Sequence, residues 1–298
     1  NVRSSVQLGA WLKKNLSSAE LEVWPVTPKG SLKTDAETLT DYGSGVEALK
    51  PLLKYKKYQK YLSTYGKSII DLVNPVTGRI HPNYTVAFTE SGRLSSRQPN
   101  VQNFPRPDAE AGRYRDLFKS QNDKNVLVGA DYSQIEVRIA AILSKDKKML
   151  EAYKEGKDLY KQTASLILHK KEADITKAER QQAKAVVLGL QFGMGSVTLC
   201  SYAKQYGVNM SPQESATMVD NYRAAYSGLT DWQRKTTKQA ASTLTSSTIC
   251  GLVRKLDSHN YYTCSLNTPV QGSAAEALIY AITLLDKEFI FNKIPARI

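Results

Sequence analysis

Residues 126–136 constrain the fold of this chain more strongly than any other stretch. A short apolar run, residues 126–128, leads through two small residues into Asp131. We predict that this run is a buried strand, and that the apolar residues at helical spacing after Glu136 form a helix. A strand that ends in Asp131 would place its carboxylate at a sheet edge, where a ligand or a metal ion can reach it.

Glu136 lies three residues after Ser133, which is the spacing of a capping box at the start of a helix. The simplest interpretation is that the Glu136 side chain caps this helix. The spacing alone leaves open both this interpretation and a functional one.

The charge of the chain indicates a polyanionic partner. Its 298 residues can bury a sizeable core in one to three subdomains. The 41 Lys and Arg residues exceed the 28 Asp and Glu residues, which gives a net charge of +13. Nucleic acid is favoured over a membrane surface because no basic amphipathic anchor is evident. The alternative is that the charge serves solubility alone.

Several features favour an intracellular protein that does not contact membranes. No apolar run approaches the ~20 residues that a membrane-spanning helix needs, and the first residues lack the apolar segment of a signal peptide. The cysteines are odd in number, far apart and without metal-ligand spacing, so we expect reduced thiols in a cytosol-like compartment. Neither the cysteines nor the histidines suggest a metal cluster: Cys200, Cys250, Cys264, His81, His169 and His259.

Residues 47–66 combine helical spacing of apolar residues with charge of one sign, since no acid occurs between Glu47 and Asp71. Lysines on a helix face can neutralise backbone phosphates without reading sequence. The alternative is a solvated helix with a packed tyrosine face. The residues concerned are Lys50, Lys54, Lys56, Lys57, Lys60, Tyr55, Tyr58, Tyr61 and Tyr65.

A polar segment, residues 92–105, contains prolines and a glycine that disfavour regular structure. Its side chains, which include Arg93, Gln102 and Asn103, are suited to hydrogen bonds with phosphates and base edges. Polar loops are common, so this pattern is weak by itself. We predict that a strand follows near Arg113 and Arg115 and leads on to Asp131.

A helix is predicted between the capping-box pair Thr176 and Glu179 and a stop at Gly193. Four residues recur along one face of it: Arg180, Lys184, Leu188 and Phe192. Cations near the positive end of a helix dipole suggest an anion such as a triphosphate, with the apolar end against a base or sugar. An ordinary surface helix is the alternative. No P-loop motif occurs, which argues against a P-loop ATPase.

The rest of the chain is expected to be mainly helical. Ser211 and Pro212 start a helix that should stop at Gly228, and another should open at Thr230. Residues 248–256 resemble a small hairpin, and residues 267–272 introduce an apolar helix. The fold class is therefore α+β, with helices in residues 1–66, a strand-rich middle over 67–131, and mostly helix afterwards.

Taken in order, these motifs resemble the polymerase region of family A DNA polymerases, the bacterial DNA polymerase I and phage replicase group. The matching stretches are residues 62–65, 74–75, 77–79, 92–96, 99–100, 102–103, 131–136, with Pro105, Arg180, Lys184, Gly189, Gly193 and residues 267 and 269–272. The resemblance implies a right-hand architecture with a thumb over 1–70, a palm with an antiparallel sheet over 71–145, fingers over 146–256, and a second palm part over 257–298.

The resemblance also implies roles for individual residues. Asp131 would bind two Mg²⁺ ions in the complete enzyme, with the Tyr132 carbonyl as a further ligand. Glu136 would exclude a 2′-hydroxyl, and Lys184 would protonate the leaving pyrophosphate. The incoming deoxynucleoside triphosphate would be bound by Tyr132, Gln134, Glu136, Arg180, Lys184, Leu188 and Phe192. The primer-template DNA would be contacted by Arg93, Gln102, Asn103, Asn267 and Gln271. We expect a monomer in the cytoplasm of a bacterial cell or phage-infected host, with an organellar origin left open.

The chain departs from the family pattern at three positions. Leu188 replaces an aromatic residue, Phe192 replaces a tyrosine, and Thr263 stands where an arginine is common. We expect Leu188 to alter discrimination against chain terminators, and Thr263 to remove one DNA contact.

The family's His-Asp-Glu turn, which carries the second metal-binding carboxylate, does not occur in these residues, so the palm is expected to be incomplete. Neither Asp257 nor Glu276 is a credible substitute. We therefore expect the 298-residue chain alone to bind template but to extend primers poorly, and we expect no nuclease domain. The alternatives are a nucleic-acid-binding module without catalysis and a single-subunit RNA polymerase.

Overall fold

Helices make up most of the structure, which is a computed structural model. It describes residues 2, 4–43, 46–86, 88–105, 111–120, 122–204 and 206–297. The helices are α1 Ser5–Asn15, α2 Ser18–Val23, α3 Ala36–Gly43, α4 Lys50–Tyr65, α5 Lys67–Ile70, α6 Ile135–Ser144, α7 Lys147–Lys154, α8 Leu159–Leu168, α9 Lys177–Leu190, α10 Ser196–Lys204, α11 Pro212–Ala225, α12 Ser227–Thr243, α13 Tyr261–Asn267 and α14 Ser273–Phe291. A π-helical segment, Thr268–Gly272, joins α13 to α14.

The described part of the chain also contains two small sheets. They contain β1 Asn83–Thr85 with β2 Ser95–Arg97, and β3 Thr245–Ser247 with β4 Val253–Lys255. In the second sheet the strands are antiparallel, and Ser246 lies opposite Arg254. This confirms the hairpin that was expected near residues 248–256, although its strands are only three residues long.

The chain divides into two units, the first of which contains Asn1–Asn83 and Ser96–Val126. Its apolar core contains Leu8, Leu12, Leu16, Trp24, Leu39, Val46 and Leu49. A second, aromatic cluster joins the end of α4 to the later segment of this unit. In that cluster the ring centroids lie 4.9 to 5.9 Å apart, and its members are Tyr65, Phe104, Tyr114 and Phe118.

The second unit contains Tyr84–Ser95 and Leu127–Ile298. Its core is formed mainly by α6 to α9, α11 and α12, with buried side chains that include Val137, Met149, Leu159, Val186 and Tyr222. Helix α8 packs against α9 and α11, and α12 packs against α6 and α13. Helices α6 and α9, which carry Glu136, Arg180 and Lys184, are thus built on one shared core.

The predicted strand before Asp131 is wrong. Residues 125–130 have no regular structure, and Val126, Leu127 and Val128 are 81%, 69% and 85% exposed. A strand forms only where a neighbouring strand pairs with it, and among the described residues none pairs with this run. The strand-rich middle is also wrong, because residues 112–117 form a 3₁₀ helix where a strand was expected.

Two of the predicted helix starts are confirmed. Thr176 and Glu179 form the predicted capping box of α9, and Ser211 and Glu214 form another at the start of α11. In both, the side chain of the first residue accepts from the backbone of the fourth.

The boundary between α11 and α12 differs from the prediction. Helix α11 ends at Ala225, and α12 already begins at Ser227 rather than at Thr230. The buried Asp146 carboxylate explains the shift, because it accepts the backbone N–H groups of Gly228 at 3.0 Å and Leu229 at 3.3 Å. A carboxylate that is distant in sequence therefore accepts the free backbone N–H groups of the first turn of α12. No local sequence signal predicts this contact.

Candidate active site

Asp131 lies in an irregular segment that leads into α6, and its side chain is exposed. It makes no hydrogen bond or ion pair with any residue in the part of the chain that the structure describes. Tyr132 is also exposed, at 53%. A free carboxylate next to an accessible backbone is suited to a hard cation such as Mg²⁺, which takes one or two carboxylates and fills its remaining positions with water and phosphate oxygens.

The described residues contain no group of three His, Cys, Asp or Glu side chains that could hold a metal ion by themselves. Asp131 therefore does not belong to a closed cage built from described side chains alone.

Glu136 does not cap α6, so the predicted capping box at this position is wrong. The residue before the helix is Gln134, which is left-handed with φ 55° and ψ 36°, and no side chain caps the first turn. A capping box needs an extended residue at that position, which this turn does not provide. The Glu136 carboxylate instead forms an ion pair with Arg93, whose side chain is 51% exposed against 23% for Glu136.

Helix α9 holds Arg180 next to an acidic partner. Its Nε donates to the Asp158 carboxylate at 2.6 Å, and its guanidinium carbon lies 5.4 Å from the centre of the Tyr160 ring. Burial acts to raise the pKa of Asp158, but hydrogen bonds from Arg180 and from the Lys161 and Tyr160 backbone outweigh it and hold that pKa below its usual value. In the free protein, the Asp158 carboxylate thus neutralises the charge of the Arg180 guanidinium.

Lys184 lies one turn further along α9 and is half-buried. No ion pair joins it to another of the described residues. Leu188 and Phe192 are also half-buried, and both pack against the core of the second unit. The first three members of the predicted face therefore lie on α9, whereas Phe192 lies in the turn just beyond its end at Leu190.

The charge of Glu136 acts on two tyrosines of neighbouring helices. The pKa values of Tyr160 on α8 and Tyr202 on α10 are raised, chiefly by burial, and Glu136 contributes to both. Since Arg180 lies over the Tyr160 ring, Glu136 and Arg180 belong to the same neighbourhood of the second unit.

The end of α9 contacts α13 closely. Gly193 has φ +77°, and a Cβ atom placed on it would lie 2.8 Å from Leu266 Cδ1 and 2.9 Å from Tyr262 Oη. Helix α6 packs against the π-helical segment that follows α13. The structure therefore brings α6, the end of α9 and the segment containing Asn267 and Gln271 together within one unit.

Asn267 is the last residue of α13, and Gln271 lies in the π-helical segment. Both are partly buried. The Asn267 Oδ1 atom is buried and accepts no hydrogen bond from the described residues. A buried acceptor without a donor is costly, so Asn267 is suited to a ligand that brings one.

Gln102 and Asn103 belong to the first unit, in a short 3₁₀ helix. The Tyr65 hydroxyl donates to the Asn103 backbone oxygen, and Arg115 donates to the backbone oxygens of Pro105 at 2.7 Å and Phe104 at 3.2 Å. The expectation that residues 92–105 lack regular structure is wrong in part, because they contain β2 and this 3₁₀ helix. Side chains of the same unit fix the second of these.

Sequence reasoning missed three residues that touch the candidate site. Asp158 pairs with Arg180, while Tyr153 and Arg138 contact the turn before α6. An acid followed by an apolar helical pattern is a capping signal, which could have identified Asp158 as the N-cap of α8. No local pattern identifies Tyr153 or Arg138, because their contacts depend on how helices pack.

None of the described helices is both long enough and apolar enough to cross a membrane.

The chain is similar to known proteins over its whole length. The sequence profile of DNA polymerase family A matches residues 1–298. DNA polymerase I of Aquifex aeolicus is 35% identical over 277 residues, which cover 92% of this chain and 46% of that protein. DNA polymerase I of Geobacillus stearothermophilus is 32% identical over 307 residues, which cover 100% of this chain and 34% of that protein.

The structure is similar to a solved structure of the POL domain of Pol1 from M. smegmatis in complex with DNA primer-template and dNTP. The TM-score is 0.79 at 28% sequence identity, over 100% of this chain and 52% of that one. This confirms the α+β polymerase fold that the sequence predicts. The chain spans about a third to a half of the length of these relatives. Because the family profile covers every residue, the chain belongs to DNA polymerase family A.

Proposed function

We propose that the protein carrying this chain synthesises DNA on a template, by adding deoxynucleoside triphosphates to the 3′ end of a primer. The observation that carries the proposal is that one helical unit combines an unpaired exposed carboxylate, Asp131, with the cations Arg180 and Lys184 of α9. The solved relative bound to primer-template and dNTP supports the same two ligands for this chain.

Asp131 and the Tyr132 carbonyl would hold magnesium in this proposal, since both offer the oxygen ligands that Mg²⁺ prefers. When bound, the metal would neutralise phosphate charge and activate the primer oxygen. The protein's own part is to keep the Asp131 side chain accessible and free of competing partners among the described residues.

Arg180 and Lys184 would bind the triphosphate. Lys184 has no acidic partner among the described residues, so its Nζ can meet a phosphate without breaking an ion pair. Arg180 must share or release Asp158 to do the same. The Lys184 ammonium would also donate its proton to the leaving pyrophosphate oxygen. Leu188 and Phe192, at the apolar end of the face, would pack against the sugar and base, and Gln134 would complete this pocket.

Glu136 would exclude ribonucleotides by occupying the space that a 2′-hydroxyl needs. Arg93, which pairs with it, is one of the proposed DNA-contacting residues together with Gln102, Asn103, Asn267 and Gln271. Among the described residues, Arg93 is the ion-pair partner of Glu136.

The proposal also assigns a role to each larger region of the chain. Residues 1–70 would act as the thumb that grips duplex DNA, with the lysines of α4 on the phosphates. Residues 71–145 and 257–298 would belong to the palm, and residues 146–256 would form the fingers. The protein would work as a monomer.

Primer extension tests this proposal. The full natural chain is supplied with a primer-template, Mg²⁺ and either all four deoxynucleotides or all four ribonucleotides. We expect a product complementary to the template, made from deoxynucleotides only. Efficient ribonucleotide products would instead indicate an RNA polymerase, and tight DNA binding without any product would indicate a binding module. The expectation that the 298-residue chain alone extends primers poorly is checked in the same assay.

A further inference from the structure

The turn between Asp131 and α6 adopts an unfavourable backbone conformation. Gln134 has φ 55° and ψ 36°, the left-handed region that residues other than glycine rarely enter. The first turn of α6 has no side-chain cap to compensate. The conformation must therefore be stabilised by contacts from other parts of the unit.

Two side chains provide such contacts. Arg138 Nε donates to the Ser133 backbone oxygen at 2.9 Å, and the Tyr153 hydroxyl donates to Gln134 Oε1 at 3.0 Å. The guanidinium carbon of Arg138 also lies 4.2 Å from the centre of the Tyr153 ring, which is a cation–π distance. Tyr153 thus binds the turn directly and also supports the second side chain that binds it.

Helix α7 presents Tyr153 from a fixed position. Its residues Met149 and Ala152 are buried in the core, at 0% and 1% exposure. At its start, the buried Asp146 carboxylate accepts Met149 N at 3.1 Å and also holds the first turn of α12. The Tyr153 hydroxyl therefore reaches the turn from a helix that is anchored at both the core and its capped end.

Tyr153 keeps its proton under ordinary conditions. Burial raises the pKa of Tyr153 well above its usual value, although the positive charge of Arg138 acts in the opposite direction. The hydroxyl therefore remains a donor to Gln134 at neutral pH.

We infer that Tyr153 and Arg138 are positioning residues, which fix the turn before α6 and so set how Asp131 and Glu136 face the substrate. Asp131 precedes Gln134 by three residues, and Glu136 follows it by two. A rotation of this turn would therefore displace both carboxylates relative to each other. The identity of the substrate rests on the proposed function, whereas the contacts that hold the turn belong to the free protein.

Hydrogen–deuterium exchange of the free chain tests whether Tyr153 and Arg138 stabilise the turn before α6. Tyr153→Phe removes the hydroxyl and keeps the ring beneath Arg138. We expect the backbone amides of residues 138–140 to exchange about fivefold faster, as for the loss of one hydrogen bond. Arg138→Lys, which loses the planar Nε donor, should have a similar effect. Unchanged exchange in both variants would overturn the inference.

Tyr226→Phe is the matched control. It also removes a single hydroxyl in the same unit, one that lies 2.7 Å from the Thr163 hydroxyl, and it should leave exchange in residues 138–140 unchanged. If Tyr226→Phe accelerated exchange there as much as Tyr153→Phe, the effect would be a general loss of stability, and the inference would fail.

Single-nucleotide incorporation by the full natural chain tests whether the position of this turn affects catalysis. We expect Tyr153→Phe to lower kcat about tenfold with little change in KM for the deoxynucleotide, since a displaced Asp131 weakens transition-state stabilisation more than substrate binding. Wild-type kcat in Tyr153→Phe would contradict the positioning role. If the wild-type protein incorporated no nucleotide, the proposed function would fail, and the exchange result would still decide whether Tyr153 holds the turn.

Discussion

At the scale of single residues, Glu136 illustrates how a distant partner overrides a local pattern. The spacing of Ser133 and Glu136 predicts a cap, but the left-handed Gln134 breaks the geometry that a cap requires. The Glu136 carboxylate is left free to pair with Arg93, which is 43 positions away in sequence. The position of the Glu136 side chain is thus set by an ion pair that its local sequence does not reveal.

We expect Glu136→Ala to weaken the preference of the full natural chain for deoxynucleotides. Removing a group that fills the space of a 2′-hydroxyl should lower discrimination by roughly tenfold or more. The measurement is the ratio of kcat/KM for matched deoxy- and ribonucleotides. Glu151→Ala, at an exposed position on α7, is the control that should keep the wild-type ratio. An unchanged ratio in Glu136→Ala would remove this residue from sugar selection.

The Arg180–Asp158 pair predicts a dependence of stability on pH. The folded-state pKa of Asp158 is lowered, so the carboxylate stabilises the fold above its unfolded pKa of about 3.9. That stabilisation is lost as the pH falls through the lower folded-state pKa. We expect Asp158→Asn, which retains an N-cap side chain, to lower the free energy of unfolding by up to ~1 kcal/mol at pH 7, since the pair is partly exposed.

Urea unfolding followed by circular dichroism checks this effect at pH 7 and pH 3. The difference between Asp158→Asn and the wild type should shrink at pH 3, where the wild-type carboxyl is already mostly protonated in the unfolded chain. An equal difference at both pH values would mean that the charge of Asp158 does not contribute.

At the scale of secondary-structure elements, the junction of α9 and α13 determines where the polar residues of the site lie. Gly193 is required there because its φ of +77° and its close approach to Leu266 and Tyr262 leave no room for a side chain. We expect Gly193→Ala to lower the free energy of unfolding by about 1–3 kcal/mol, through both backbone strain and overpacking.

Gly195→Ala is a matched control two residues away. A Cβ atom placed on Gly195 would have no neighbour within 4 Å, and the residue is exposed. Thermal unfolding should therefore give a lowered Tm for Gly193→Ala and a nearly unchanged Tm for Gly195→Ala. Equal Tm values for the two variants would contradict the close packing of α9 on α13.

The helices that sequence predicts correctly are those whose signals are local. The capping boxes of Thr176 and Ser211 lie where the sequence places them, because each is completed within four residues. The start of α12 and the pairing of Arg180 are not predictable in this way, since Asp146 and Asp158 reach them across the fold. The run at residues 126–128 fails for a related reason, because a strand depends on neighbours that its own sequence does not specify.

At the scale of the whole molecule, the net charge of +13 is consistent with a polyanionic partner. The candidate site was largely predictable as a set of residue types, from Asp131 through Arg180 and Lys184. Its arrangement was not, because Arg93, Tyr153 and Asp158 contribute through tertiary contacts alone.

We expect the logarithm of the DNA association constant to fall linearly with the logarithm of the salt concentration. Replacing Lys54 and Lys60 of α4 together by alanine should reduce the magnitude of that slope by about 1–2, if each meets one phosphate. Fluorescence anisotropy with labelled primer-template at several salt concentrations gives the slope. The control, Lys148→Ala with Lys287→Ala, removes the same charge from exposed positions on α7 and α14. Equal slopes for the two double variants would show that α4 does not contact the DNA backbone.

The most direct measurement of the central claim is primer extension by Asp131→Asn in the full natural chain with Mg²⁺. Asparagine preserves the size of the side chain and removes the charge that a metal ion requires. We predict that extension falls by several orders of magnitude while primer-template affinity stays within about twofold of the wild type, and that Asp123→Asn at another exposed position extends normally. Wild-type extension by Asp131→Asn would contradict the claim that this carboxylate binds the catalytic metal.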